Sequence, residues 1–191
     1  VFSMSGEVAP LGELSRIAEE SGTDLVVDDA HGFGVFGEGR GVIAEQNANV
    51  ALRTVTLSKA AGCMGGAVAG SRDGIDYLRT RARTFMFTTS PPPSICAAAI
   101  EAISLIEEGS LRRKLWANVR HFSPDAASPI VPVVLGENRR APDASPAPSA
   151  SGFWVPAIRP PALPGPGARL RLPLTALHAP APPHRPRPAT P

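Results

Sequence analysis

Hydrophobic positions in the first part of the chain recur at helical spacing in some stretches and form short continuous runs in others. Helical spacing predicts helices directly after Pro10, over 73–84 and over 94–108, and Gly22 suits the end of the first helix. The short apolar runs predict strands at 25–27, 52–57 and 67–69. Alternating helices and strands are typical of an α/β domain with a mostly parallel sheet.

The pattern changes in the last third of the chain. Of the 22 prolines, 18 lie after residue 120. Apolar runs still predict strands at 132–136, 153–158 and 168–174. Between and after them, residues 138–151 and 179–191 are rich in Pro, Ala, Ser and Arg, a composition that opposes a continuous helix. We therefore expect a small, partly disrupted α+β domain followed by a disordered tail at 179–191. One hypothesis for the two blocks is a shifted reading frame or wrong splicing.

Composition narrows the function classes. The net charge of +2 in 191 residues is too small to indicate nucleic acid as a partner. No apolar run reaches the roughly 18 residues of a membrane span, so we expect no membrane partner. The two cysteines show no metal-binding spacing and suit a reducing compartment. We expect no metal site and a cytoplasmic location.

Two chemically useful side chains follow the predicted strands. Asp28 ends the first strand and Lys59 follows the second, and the carboxyl ends of parallel strands meet at one edge of a sheet, where ligands bind. A lysine amine that is held and partly desolvated can act as a nucleophile, and small residues around Lys59 let a flat cofactor approach the backbone. A surface lysine before a glycine turn, and a helix cap or metal ligand at Asp28, remain the alternatives for each residue taken alone.

His31 lies three residues after Asp28 in the glycine-rich stretch DDAHGFGVFGEGRG. The glycines predict a loop rather than a helix, and a loop can turn the imidazole back toward the strand ends. A neutral imidazole there could donate a hydrogen bond to a cofactor oxygen. Taken alone, the residue could equally be an exposed loop histidine.

Five motifs occur in order along the chain: VFSMSGEVAPL, LVVDDAHGFGVFGEGRG, TLSKAAGCMGGAVAGS, FMFTTSPPPS and WVPAIRPPALP. Together they resemble the C-terminal half of the α-oxoamine synthases, enzymes that depend on pyridoxal 5′-phosphate (PLP). The DDAHGFGVFG stretch is most similar to the branch that makes 8-amino-7-oxononanoate in biotin synthesis. The resemblance implies part of the type I PLP-dependent transferase fold. It divides the chain into a part of the cofactor-binding domain at 1–108 and a small domain at 109–178.

The resemblance also implies a role for each matching residue. Lys59 would bond to PLP and move a proton at the substrate, Asp28 would pair with the pyridine nitrogen, and Arg159 would bind the substrate carboxylate. Further contacts to the cofactor would come from His31 and Ser3 at the phenolic oxygen, Thr56 at the phosphate, and Thr88 and Thr89 at the phosphate of a neighbouring subunit. The last contact implies a homodimer. Ala162 stands where the family usually has a threonine, which weakens the inference at the substrate end.

The implied reaction is the decarboxylative condensation of L-alanine with pimeloyl-CoA or a pimeloyl carrier protein. Three alternatives stay open. One is a sister synthase that uses glycine or serine, and another is an inert fragment that docks onto a full-length homologue. The third is a class I aminotransferase, which shares the aspartate and lysine pair.

Overall fold

The structure, a computed structural model, describes residues 1–136, 155–158 and 168–179. These residues form two sheets and six α-helices. The strands are β1 (Val26–Asp28), β2 (Leu52–Thr56), β3 (Gly66–Gly70), β4 (Ile130–Gly136), β5 (Ala157–Ile158) and β6 (Ala168–Pro173). The helices are α1 (Leu11–Ser21), α2 (Val42–Glu45), α3 (Arg72–Arg81), α4 (Arg83–Met86), α5 (Pro93–Glu108) and α6 (Ser110–Phe122).

The first sheet has the strand order β1-β2-β3. Strand β1 pairs with β2 in parallel, and Asp28 lies opposite Thr54. Strand β3 pairs with β2 antiparallel, because only the short turn after β2 separates them. The predicted α/β class is confirmed, and the part of the sheet that the structure describes is mixed. Of the run predicted as a buried strand, Val27 is buried but Val26 is 58% exposed.

The helices follow the sequence prediction closely, apart from the short α2, which was not predicted, and two further differences. Helix α1 ends at Gly22, which adopts the left-handed conformation (φ 62°) as expected. The helix predicted at 73–84 breaks at Ala82, whose ψ of 101° is extended, so α3 and α4 are separate. Helix α6 was not predicted from the sequence. Gly109, with φ 80°, ends α5 and lets the chain start again as α6.

The second sheet has the order β4-β6-β5, with antiparallel pairing throughout. It confirms the strands predicted at 132–136 and 168–174, and the last residues of the strand predicted at 153–158. Asn118 on α6 donates its side-chain amide to the carbonyl oxygens of Thr175 and His178, 2.9 Å away in both cases. The segment that follows β6 is thereby fixed to α6. The block at 138–151 and the tail from residue 180 lie outside the described residues.

A small hydrophobic core lies between α1, β1 and the glycine-rich segment that follows β1. Leu11, Val27, Phe36 and Val42 are its buried members. Trp116 from α6 packs edge-on against Phe36 with ring centroids 5.4 Å apart. Helix α6 is therefore attached to the loop that carries His31. No helix in the described ranges is long and apolar enough to cross a membrane.

Candidate functional site

The carboxyl ends of β1 and β2 bring Asp28 and Lys59 to the same edge of the first sheet. Asp28 is the last residue of β1, and its Oδ1 accepts a hydrogen bond from the Ala30 N–H at 2.9 Å. Lys59 lies three residues beyond the end of β2. Because β1 and β2 run parallel, both residues leave the sheet in the same direction. The juxtaposition predicted from the sequence is present.

A cavity of about 400 Å³ lies at this edge. Four of the predicted site residues line it, namely Ser3, Asp28, His31 and Lys59. The remaining walls are mainly apolar and come from Val1, Phe2, Ala9, Leu11, Val27 and Ala30, with Asp29. A carboxylate, an amine, an imidazole and a hydroxyl therefore face one partly apolar space.

His31 is held close to Lys59 by the glycine-rich loop. The loop follows β1 and lies so close to the Lys59 turn that a Cβ atom at Gly34 would be 2.4 Å from the Ala60 Cβ. The pKa of His31 is lowered from 6.5 to about 4, chiefly by partial burial and also by the positive charges of Lys59, Arg171 and the N-terminal amine, against the opposing charge of Asp28. The ring is therefore neutral near pH 7, and one of its nitrogens can donate a hydrogen bond.

The turn that carries Lys59 is closed by backbone hydrogen bonds. The Leu57 N–H donates to the Gly65 carbonyl at 2.9 Å, and the Cys63 N–H donates to the Leu57 carbonyl at 2.8 Å. Lys59 itself is exposed. The reason is that β3 and most of the adjoining turn are themselves exposed.

The buried carboxylate of this segment is Asp29, not Asp28. Asp28 is exposed, whereas Asp29 is 1% exposed and forms an ion pair with Arg53 at 3.1 Å. Desolvation raises the pKa of Asp29, and the Arg53 charge opposes that rise. Sequence reasoning missed this pair. The usable signal was the alternation of side chains at a strand end, which sends two adjacent aspartates to opposite sides.

Three other predicted site residues, Thr56, Thr88 and Thr89, do not line this cavity. The Thr56 hydroxyl is 2.7 Å from the Ser58 hydroxyl at the end of β2. Thr88 and Thr89 are exposed in the segment between α4 and α5. Arg159 lies outside the described residues.

A second cavity of about 710 Å³ adjoins the first, since Val1, Ala30, His31 and Lys59 line both. Its walls are largely aliphatic and include Ala60, Ala61, Ala102, Leu105, Ile106, Leu111, Leu115 and Leu174. Arg171 from β6 also lines it, and its Nε donates to the Ser3 carbonyl at 2.7 Å. Sequence reasoning missed Arg171, because a strand pattern alone does not show which arginine of ARLRLPL faces the site.

The family profile of aminotransferase class I and II matches residues 1–128, which include every element that lines the first cavity. The chain belongs to this family. A curated relative within it, the 8-amino-7-oxononanoate synthase of Acidithiobacillus ferrooxidans, is 42% identical over 192 residues, covering 94% of this chain and 49% of the relative. The chain thus spans about half the length of the curated relatives it matches.

Solved structures of similar fold agree with this membership. A lysine-to-alanine variant of serine palmitoyltransferase from S. paucimobilis, with PLP and myriocin bound, is 32% identical and superposes with a TM-score of 0.88. It matches 95% of this chain and 50% of its own. The 8-amino-7-oxononanoate synthase from Francisella tularensis is 29% identical with a TM-score of 0.81, over 94% of this chain and 56% of its own. The fold is therefore part of the type I PLP-dependent transferase fold, as predicted.

The residues of the first cavity fit PLP chemically. A carboxylate can hold the pyridine nitrogen in its protonated form, and an amine can bond to the aldehyde carbon. A neutral imidazole and a hydroxyl can both donate hydrogen bonds to the phenolic oxygen. The donor set at this edge of the sheet contains all four groups.

Proposed function

We propose that this chain is the part of a PLP-dependent acyltransferase that carries the cofactor lysine. The proposed reaction joins L-alanine to pimeloyl-CoA, or to a pimeloyl carrier protein, with loss of carbon dioxide. The observation that carries the proposal is the convergence of Asp28, His31, Ser3 and Lys59 on one cavity. The similarity to 8-amino-7-oxononanoate synthases supports the choice of substrates.

Each residue then has a distinct task. PLP, when bound, supplies an electron sink for the substrate carbanion. Asp28 keeps the pyridine nitrogen protonated, and the neutral His31 ring donates to the phenolic oxygen without adding a positive charge. Lys59 holds the cofactor and afterwards moves a proton at the substrate α-carbon. Ser3 completes the polar contacts on the same wall.

The second cavity suits the acyl substrate. Its aliphatic walls adjoin Lys59 directly, so an acyl chain could lie beside the reacting carbon with its surface removed from water. Arg171 adds a fixed positive charge at the junction with Ser3, where it suits a carboxylate group. Arg159 remains the residue we propose for the substrate carboxylate on grounds of resemblance.

Three further parts of the proposal concern organisation. We assign 1–108 to the cofactor-binding domain and 109–178 to a small domain, with Gly109 at the boundary. We assign Thr56 to the cofactor phosphate, and Thr88 and Thr89 to the phosphate of a second subunit in a homodimer. We place the reaction in the cytoplasm, where unpaired thiols stay reduced. Light scattering tests the homodimer, and cell fractionation tests the cytoplasmic location.

Absorbance spectroscopy tests cofactor binding directly. PLP bonded to a lysine absorbs visible light, and the chain contains two lysines, Lys59 and Lys114. The unaltered chain and the Lys114→Ala control should both give the band when PLP is added. Lys59→Ala should not. A band that survives in Lys59→Ala, or no band in the unaltered chain with excess PLP, contradicts the proposal.

A second candidate is a sister synthase that uses glycine or serine in place of alanine. The match to a serine palmitoyltransferase structure, with a TM-score of 0.88, supports this candidate. Carbon dioxide release from L-alanine, glycine and L-serine, each with pimeloyl-CoA and with longer acyl-CoAs, separates the candidates. A visible band without carbon dioxide release from any pair would instead support the non-catalytic fragment.

A further inference from the structure

Asp29 is a carboxylate almost completely buried from solvent, in the wall of the first cavity. Its backbone N–H donates to the Thr54 carbonyl at 2.9 Å, which extends the pairing of β1 with β2 by one residue. Its side chain is 1% exposed, although a carboxylate in such a position is costly unless it is paired. The backbone pairing of the strand does not explain why this side chain is a carboxylate.

The glycine-rich loop folds closely around this carboxylate. A Cβ atom at Gly32 would lie 1.9 Å from the Asp29 Oδ1, and one at Gly41 would lie 2.0 Å from its Oδ2. Oδ1 also accepts the Val42 N–H at 3.3 Å, and the Asp29 carbonyl accepts the N–H groups of Gly32 and Phe33 at 3.0 and 2.9 Å. Both ends of the loop are thus fixed to one residue.

Arg53 supplies the compensating charge from the neighbouring strand. Its Nη2 lies 3.1 Å from the Asp29 Oδ2, and its side chain is mostly covered. Its guanidinium also lies over the Phe33 ring, 5.8 Å from the centroid. Phe33 lines the second cavity together with His31 and Lys59. The ion pair therefore connects β2 to the loop on both sides of His31.

We propose that Asp29 and Arg53 form a positioning pair that fixes the glycine-rich loop and so directs His31 toward Lys59. This inference rests on the proposed function, in which His31 contacts the cofactor. Neither residue touches the reacting atoms. Asp28, the neighbouring residue, is the exposed carboxylate that lines the cavity and that we assign to the cofactor.

The titration of His31 tests the pair without any cofactor. The charged groups that act on the ring are Lys59, Arg171, Asp28 and the N-terminal amine, and the substitutions of the pair remove none of them. If the loop relaxes, the ring gains water and its pKa should rise toward 6.5. The imidazole C–H resonance, assigned with His31→Gln, should titrate near pH 4 in the unaltered full chain. In Asp29→Asn and Arg53→Met the midpoint should rise by about one pH unit or more.

Two further variants keep the test specific. Arg53→Lys keeps the positive charge and should leave the midpoint close to that of the unaltered chain. Arg16→Met removes an exposed ion pair with Glu20 on α1 and should have no effect on His31. Should Arg53→Met fail to fold, Arg53→Gln, which has a similar length and no charge, takes its place in the same measurement.

Folded Asp29→Asn and Arg53→Met (or Arg53→Gln) chains in which His31 titrates at the unaltered midpoint would overturn the positioning role. A midpoint in Arg53→Lys that is shifted as far as in Arg53→Met would also overturn it. The effect would then not depend on the charge of the pair. Failure of the proposed function gives a different result, because PLP would produce no visible band even in the unaltered chain.

Discussion

The low pKa of His31 makes a prediction about stability, since a histidine that resists protonation in the folded chain favours unfolding in acid. Between its folded pKa of about 4 and its unfolded value of 6.5, the unfolded chain binds a proton that the folded chain does not. Stability therefore rises with pH across this window and is lost as the pH falls. Above pH 6.5 both states hold a neutral ring, and the effect disappears.

The size of the effect follows from the two pKa values. At about 1.4 kcal/mol per pKa unit, the difference between 6.5 and about 4 corresponds to at most about 3 kcal/mol. At about pH 4.5 most of this difference would be present. His31 is only partly buried, so solvent screening lowers the expected value to about 1–2 kcal/mol.

Urea unfolding of the cofactor-free chain at about pH 7.5 and about pH 4.5 measures the effect. The unaltered chain should lose about 1–2 kcal/mol more than His31→Gln does between the two conditions. The comparison cancels contributions from carboxylates such as Asp29. His121→Gln, an exposed histidine at the end of α6, should behave like the unaltered chain. Equal losses in the unaltered chain and His31→Gln would refute the reasoning.

Three substitutions test the packing of the chain. Gly41→Ala should cost about 3 kcal/mol or more, because φ is 95° and the new Cβ would lie 2.0 Å from the Asp29 Oδ2. Gly22→Ala should cost only about 1–2 kcal/mol in urea unfolding, since its φ of 62° is left-handed but nothing lies within 4 Å. Equal costs would mean that the loop does not wrap Asp29. Val119→Ala, at a fully buried position on α6, should cost about 2 kcal/mol, and a loss below about 0.5 kcal/mol would show that α6 is not packed as described.

The sequence predicted those parts of the fold that depend on local periodicity. Helix α1, strands β1 and β2, and strand β6 were all recognisable, because each has its own pattern of apolar spacing. The direction of β3 was not, since a run such as AVA is compatible with either a parallel or an antiparallel partner. The break at Ala82 was also missed, because nothing in the composition there opposes a helix.

The sequence predicted those site residues whose position follows from the order of the strands along the chain. Two parallel strands must bring their carboxyl ends together, so the order of strands along the chain is enough to place Asp28 and Lys59 at one edge. Arg53 and Arg171 could not be found in this way. Arg171 reaches the site, and Arg53 reaches the loop that carries His31, from strands whose side-chain direction depends on tertiary packing. An arginine in a strand pattern is ordinarily taken as a solvent-facing residue.

The consecutive aspartates at the end of β1 show why both kinds of reasoning are needed here. A pleated strand sends neighbouring side chains to opposite faces, so one carboxylate must turn toward the cavity and the other into the protein. The exposed Asp28 can therefore meet a cationic ring, while the buried Asp29 can serve as the anchor around which the glycine loop closes. Exchanging these roles would leave the cavity without its exposed carboxylate and Arg53 without its partner. Which of the two aspartates is exposed and which is buried therefore decides whether this strand end can support the proposed chemistry.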